Sequence, residues 1–310
     1  DGVSLYNGKR IVSFKMSRDG TYPNYIYDIF ESEDHTIYVA SGKGIFEKRK
    51  GDSEFRQIMK EIENGEAILE AKGIVYVGNR EGLHVFDGKA TKLITVGASR
   101  MGVENGVRDI KADKQGNIWF VSRYALNCYY PKTGKFRSYV IADKMTKGAA
   151  LSRLAIAPQG KFFIGTKNNG LYVYQPSLRN IPPHEIKGVG NVITYLQLTS
   201  QGEVTVSTDG SGAFLLDAKT ERIKEVYCSK ADRKHRLPSD AVYCFVKDKH
   251  GVNWFSFFRF GMCYTYYSAP VFCRYRFDGF TTEGLSVRSF YIGNQVKLIG
   301  TNDGLTYVDE

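Results

Sequence analysis

Seven short turns carry the side chains in this sequence best suited to gripping a polar ligand. They hold Lys43, Arg80 and Glu81, Arg123 and Tyr124, Asn168 and Asn169, Asp209 and Ser211, Arg259 and Phe260, and Asn302 and Asp303. Amides, carboxylates, guanidinia and aromatic rings suit a sugar: paired donors and acceptors meet its hydroxyls, and a ring meets its apolar face. Arg80, Arg123 and Arg259 would also suit a carboxylated or sulfated sugar, because a guanidinium meets such groups with two parallel bonds. The ligand site expected from these turns is Arg80, Arg123, Tyr124, Asn168, Asn169, Asp209, Arg259 and Asn302. Asn, Asp, Gly and Ser also belong in tight turns for backbone reasons alone. Only the recurrence of the turns makes a site of them.

Other chemistry is sparse. His35, His84, His184, His235 and His250 are scattered, with no H-x-H or HExxH spacing for a metal. No pair of carboxylates stands out as acid and base, so no catalytic residue, metal or cofactor is expected. Cys128, Cys228, Cys244, Cys263 and Cys273 form no C-x-x-C and read as small buried hydrophobes. Cys263 and Cys273 fall in neighbouring strands, which leaves one disulfide open.

The turns recur because the segments around them recur. "GKFFIGTKNNGLYVYQ" from Gly160 reads as a hairpin, and "IYVASGKGIFEK" from Ile37, "IVYVGNREGLHVF" from Ile74 and "EVTVSTDGSGAFLLD" from Glu203 share its layout. One anchor follows each turn, and Gly2 gives an eighth at the start of the sequence: Gly2, Gly44, Gly82, Ala125, Gly170, Gly212, Gly261 and Gly304. The intervals are 42, 38, 43, 45, 42, 49 and 43 residues, and an apolar residue follows every anchor. A third apolar stretch precedes each hairpin and a fourth follows most of them. Four strands per 40–50 residues is the period of a propeller blade.

The expected fold is therefore all-β, a seven-bladed β-propeller spanning 1–310. Blades are expected over 24–58, 66–96, 106–140, 150–186, 191–227 and 240–278, with a terminal blade formed by 286–310 plus 1–15. Its third strand has two candidates, "GVSLY" from Gly2 and "GLTYV" from Gly304. Either one is displaced, or the second opens a further propeller. Trp119 and Trp254, equivalent to Tyr38 and Tyr76, are expected to pack between sheets. The long connections from Lys15, Val96 and Cys228 fall on the same face as the turns, as a lid or as plain insertions.

The net charge of +10 is spread over most repeats, unlike the stripe of a nucleic-acid reader. No nucleic-acid partner is expected, and a bias toward anionic ligands is the sharper reading of the charge. No run of 18 apolar residues exists, so no membrane contact is expected of this segment.

"DKQGNIWF" from Asp113, "PQGKFFIGT" from Pro158, "SQGEVTVST" from Ser200 and "DKHGVNWFSF" from Asp248, with "NGLYVYQP" and "ALNCYYPKTGKF", resemble the two-component regulator propeller repeat. Pro158, Ala125, Phe163 and Thr205 depart from its Asp, Gly and Trp positions. WD40, kelch and sialidase signatures are not found. The resemblance implies the periplasmic sensor region of a hybrid two-component regulator of gut bacteria, which detects carbohydrate fragments and signals to a kinase elsewhere in the chain. It implies a non-catalytic fragment, with an oligosaccharide ligand, the other sensor domains of the same chain and a homodimeric copy as candidate partners. A protein-interaction scaffold is the alternative, and a propeller lyase or glycosidase the next.

Overall fold

The computed structural model describes residues 2–6, 11–14, 25–95, 105–146, 148–178, 181–258, 260–265, 287–292, 297–301 and 304–308. The chain divides into two compact units, Asp1–Tyr266 and Tyr267–Glu310. The first begins with a two-stranded sheet, β1 (Val3–Tyr6) and β2 (Ile11–Phe14). Five four-stranded antiparallel sheets follow. They are β3 (Ile26–Glu31), β4 (Ile37–Ser41), β5 (Gly44–Lys48) and β6 (Arg56–Met59); then β7 (Ala67–Ala71), β8 (Ile74–Gly78), β9 (Leu83–Phe86) and β10 (Thr91–Ile94). The third is β11 (Asp109–Ala112), β12 (Ile118–Val121), β13 (Ala125–Tyr130) and β14 (Lys135–Val140). The fourth is β15 (Leu151–Ala157), β16 (Lys161–Thr166), β17 (Leu171–Tyr174) and β18 (His184–Ile186). The fifth is β19 (Ile193–Leu198), β20 (Glu203–Thr208), β21 (Ala213–Asp217) and β22 (Ile223–Tyr227). A sixth sheet has three described strands, β23 (Val242–Lys247), β24 (Asn253–Phe257) and β25 (Met262–Tyr264). The second unit is one three-stranded sheet, β26 (Val287–Ile292), β27 (Lys297–Thr301) and β28 (Gly304–Val308).

Each sheet is ordered as its strands occur in the chain, and the first strands β3, β7, β11, β15, β19 and β23 lie side by side in that order. This is the arrangement of β-propeller blades. The core lies between the blades: Phe163, Val173, Leu196 and Val206 pack from the fourth and fifth sheets into one buried cluster. Phe163 is fully buried; burying a side chain of that kind stabilises by roughly 1.5–3 kcal/mol.

The seven-blade expectation needs correction at the ends of the chain. The terminal blade expected from 286–310 plus 1–15 is not one four-stranded sheet, since β1–β2 and β26–β28 form separate sheets. The β1–β2 hairpin is instead held by side chains on both flanks. Tyr6 stands edge-on to Trp254 at 6.4 Å, and Phe14 edge-on to Phe55 at 5.6 Å. The remainder of the expected blade over 240–278 lies outside the described residues.

The tryptophans pack as expected. Trp119 lies 4.5 Å from Phe162 of the next blade. Its indole donates to Asp113 Oδ2 at 2.8 Å, and the indole of Trp254 donates to Asp248 Oδ2 at 3.0 Å. The other oxygen of Asp113 accepts the amides of Gln115 and Asn117, that of Asp248 the amides of His250 and Val252. A buried indole N–H needs an acceptor. Asp and Trp are thus retained or lost together: at the same six-residue spacing the fourth and fifth blades have Ala157 with Phe163 and Thr199 with Thr205. Cys128, Cys228, Cys244 and Cys263 are free thiols; Cys273 lies outside the described residues.

Candidate functional site

The turns joining second to third strands are built on a polar residue that ends the second strand. Ser41 Oγ donates to the carbonyl of Gly44 at 2.8 Å, Thr166 Oγ1 to Gly170 at 2.8 Å and Thr208 Oγ1 to Gly212 at 2.7 Å. The same oxygens accept the amides of Lys43, Asn169 and Ser211. Asn79 Oδ1 takes this role in the second blade, accepting the amide of Glu81 at 2.9 Å. The closing bond spans three residues from Asn79 to Gly82 and from Ser122 to Ala125, but four from Thr166 to Gly170, Thr208 to Gly212 and Phe257 to Gly261.

Backbone bonds latch these turns to the connections on the same face. The amides of Gly42, Lys167 and Asp209 donate to the carbonyls of Tyr25, Ala150 and Val192, at the start of their own blades. Those of Gly170 and Gly212 reach Asn191 and Asp240 of the next blade at 2.8 and 2.9 Å. The rim is a fixed frame.

The eight expected ligand residues divide on this frame. Asn168 is used structurally: its Nδ2 donates to the carbonyl of Gly148 at 2.9 Å and its Oδ1 accepts the amide of Ala150 at 3.3 Å. Tyr124 packs on the buried cluster of Trp119 and Leu154, with the Arg123 guanidinium 5.2 Å from its ring centre. Asn169 lies half-buried, and its Oδ1 is buried without a hydrogen-bond partner. Arg80 and Asp209 are exposed, and among the described residues no side chain pairs with either. Arg259 and Asn302 lie outside the described residues; Phe260, beside the former, is 63% exposed. Contacts bring Arg123 and Tyr124 together, while the other turns bond within their own blade or to an adjoining connection.

Sequence reasoning missed a second concentration of chemistry, on the first strands. Asp28, Asp109, Arg153, Tyr195 and Cys244 occupy equivalent register positions, opposite Ala40, Val121, Gly165, Ser207 and Ser256. In four of the five strands a register shift immediately precedes the position, as a bulge does when it re-aims a side chain. Asp28 Oδ2 accepts the amide of Ile68, and Asp109 Oδ2 that of Leu154, each from the next blade. Arg153 Nε donates to the carbonyl of Thr194 at 2.5 Å, and Lys111 Nζ to Asp109 Oδ1 at 2.5 Å. These side chains stitch blade to blade. A signal existed: Asp28, Arg153, Tyr195 and Cys244 follow the first apolar residue of their strands by two places, and Asp109 follows Val107 by two.

Burial raises the Asp28 carboxyl to about 6, with Lys111 opposing and Asp109 assisting. Burial also pushes the Cys244 thiol up to about 12, which keeps it inert. A carboxyl raised in the folded state favours folding while protonated. Its contribution is therefore full below the unfolded value of 3.8 and is lost as pH rises toward about 6. His84 works oppositely: burial lowers its pKa, and its contribution is present above the ordinary 6.5 and lost as pH falls. Comparison with Asp28→Asn separates them. Between pH 4 and 7 the stability of the parent relative to this variant is expected to fall by up to about 3 kcal/mol in urea unfolding. Parallel curves would overturn the assignment.

Among the described residues no group of His, Cys, Asp or Glu is placed to hold a metal ion, and no helix is long and apolar enough to cross a membrane.

No family description and no curated protein matches the sequence. Solved structures do. The extracellular domain of BT4673 from B. thetaiotaomicron, described once as a one component and once as a hybrid two component system, superposes with TM-scores of 0.69 and 0.68 at 17% and 18% identity. The alignments cover 100% and 98% of this chain but 42% and 41% of that one, so the chain spans about two fifths of its length. Virginiamycin B lyase from Staphylococcus aureus superposes with a TM-score of 0.61 at 11% identity, over 90% of this chain and 92% of the lyase. At these identities the likeness establishes one property of the chain: it folds as a β-propeller.

Proposed function

We propose that the chain is a ligand-recognition propeller of a signalling sensor, lying on the periplasmic side of the membrane, and that its ligand is a saccharide. The observation that carries this is the division of labour at the rim. Backbone and hydroxyls fix the turns, while among the described residues Arg80 and Asp209 have no side-chain partner and Asn169 keeps an unsatisfied acceptor. A rigid frame carrying unspent polar groups loses little entropy on binding a polyol. The repeat pattern, and the likeness to an extracellular domain described as part of a two component system, support the sensor role. Kinase activity would reside in other parts of such a protein.

The test is substitution. Arg80→Ala and Asp209→Ala are each expected to weaken the binding of a stabilising oligosaccharide about tenfold, the worth of one charge-assisted hydrogen bond. Lys114→Ala, in a turn at the opposite end of the strands, should leave it unchanged. Equal effects of all three would contradict a rim site.

An interaction scaffold is favoured by one observation. Large apolar side chains are exposed at the first and sixth sheets: Tyr25 and Tyr27 at the first, Tyr243 and Phe258 at the sixth.

A further inference from the structure

A groove of about 530 Å³ runs between the outer strands of the first two blades, from the rim turn at Glu81 to the opposite turn at Lys89. That volume falls within the roughly 300–1,000 Å³ of small-ligand sites. Its floor is apolar. Met59 is buried, and Phe86 packs against the cluster of Ile45, Met59 and Val77 while remaining half-exposed. Phe86 thus adds ring surface to the groove lining.

The polar lining has a defined state. Asn79 Oδ1 already accepts the amides of Glu81 and Gly82, so His84 Nε2, 3.0 Å away, must donate to it. This leaves Nδ1 as a hydrogen-bond acceptor. Burial keeps the imidazole neutral, against the pull of Glu81. Glu61 and Glu81 add two carboxylates and Lys89 one ammonium, so the lining carries a formal −1 on a protein of net +10. The charge over the whole surface favours anions; this groove disfavours them.

We propose that the groove binds a sugar ring without negative charge, stacked on Phe86 and held by Glu61, Glu81, His84 and Lys89. The inference rests on the saccharide-sensor reading and gives it a second, chemically selective place. The carboxylates accept from adjacent hydroxyls or from an amine, Lys89 donates, and His84 Nδ1 accepts.

The test is an amide chemical-shift titration of the whole 310-residue chain with methyl β-glucoside, glucosamine and glucuronate. Saturable shifts at Gly82, Gly88 and residues 58–62 are expected with the first two and not with glucuronate. Glu81→Gln is expected to weaken glucosamine binding about tenfold without altering the melting temperature, because Glu81 is exposed; Phe86→Ala should weaken both sugars. Shifts confined to residues 166–170 and 208–212 would overturn the groove and leave the sensor reading standing. No shift with any of the three would count against both. A glucuronate response in the groove equal to that of glucosamine would overturn the charge selection.

Discussion

Gly212→Ala is expected to lower the melting temperature by about 10 °C, far more than the same change at Gly170 or Gly210. A Cβ on Gly212 would lie 2.1 Å from the carbonyl oxygen of Tyr227 and 3.1 Å from Cys228 Cβ, in a backbone already at φ +81°. The obstacle is backbone at the end of β22, which cannot move without breaking the ladder to β21. Overpacking of this kind costs roughly 1–3 kcal/mol, and the left-handed conformation about 1 kcal/mol more. At roughly 2–4 °C per kcal/mol for chains of this size, the sum approaches 10 °C. Gly170 has the same φ of +81°, but its Cβ would lie 3.3 Å from the nearest atom, and at Gly210 nothing lies within 4 Å. Those two variants should lose only the conformational part. Equal melting temperatures for all three would show that turn geometry alone, and not close approach, fixes the recurring glycine. Thermal unfolding followed by circular dichroism decides it.

Deleting residues 1–14 is expected to destabilise on a similar scale, because the hairpin is clamped on both flanks. The truncation removes the Tyr6–Trp254 and Phe14–Phe55 ring contacts, the approach of Lys48 Nζ to within 5.5 Å of the Phe14 ring centre, and the packing of Val3 on Val39 and Phe46. Aromatic pairs contribute roughly 0.5–1.5 kcal/mol each beyond the area they bury, and buried apolar side chains roughly 1.5–3 kcal/mol. The half-exposed hairpin realises part of this, roughly 3–5 kcal/mol, or again about 10 °C. Trp254 should also become more accessible to a fluorescence quencher. An unchanged melting temperature would contradict closure of the ring through its N-terminal strands.

The sequence made the blades legible through the anchor. Eight anchors at intervals averaging about 43 residues, each followed by an apolar residue, placed the third strands at Gly44, Leu83, Ala125, Leu171 and Ala213. The reason for the anchor was only half legible. Turn backbone alone accounted for it in sequence, yet besides the positive φ of Gly44, Gly82 and Gly212 the carbonyls of Met59, Ile94 and Tyr227 would crowd a Cβ there at 2.4, 2.5 and 2.1 Å. Such crowding comes from the fourth strand and leaves no local mark. Ala125 fits because its blade departs from positive φ at that position.

Local spacing also failed to separate spent turn residues from unspent ones. Asn168 and Asp209 look alike in sequence, but only Asn168 has its side chain bound by the Gly148–Ala150 connection. Tyr124, expected at the rim, is half-buried and packs against the core cluster of Trp119 and Leu154. Asp28, Asp109 and Arg153 were invisible as a group because they lie 81 and 44 residues apart and meet only through the ring. The groove beside His84 likewise needs two blades to exist.

The central claim is that this propeller itself recognises a saccharide. Thermal-shift screening of the 310-residue chain against neutral and acidic oligosaccharides, each at low and high salt, tests it most directly. The account predicts a concentration-dependent rise in melting temperature with at least one saccharide, since a ligand that binds only the folded chain stabilises it by mass action. Loss of an acidic hit at high salt would assign it to exposed arginines such as Arg80; persistence of a neutral hit would agree with the groove. No rise with any saccharide at either salt would contradict the claim and leave the scaffold reading in its place.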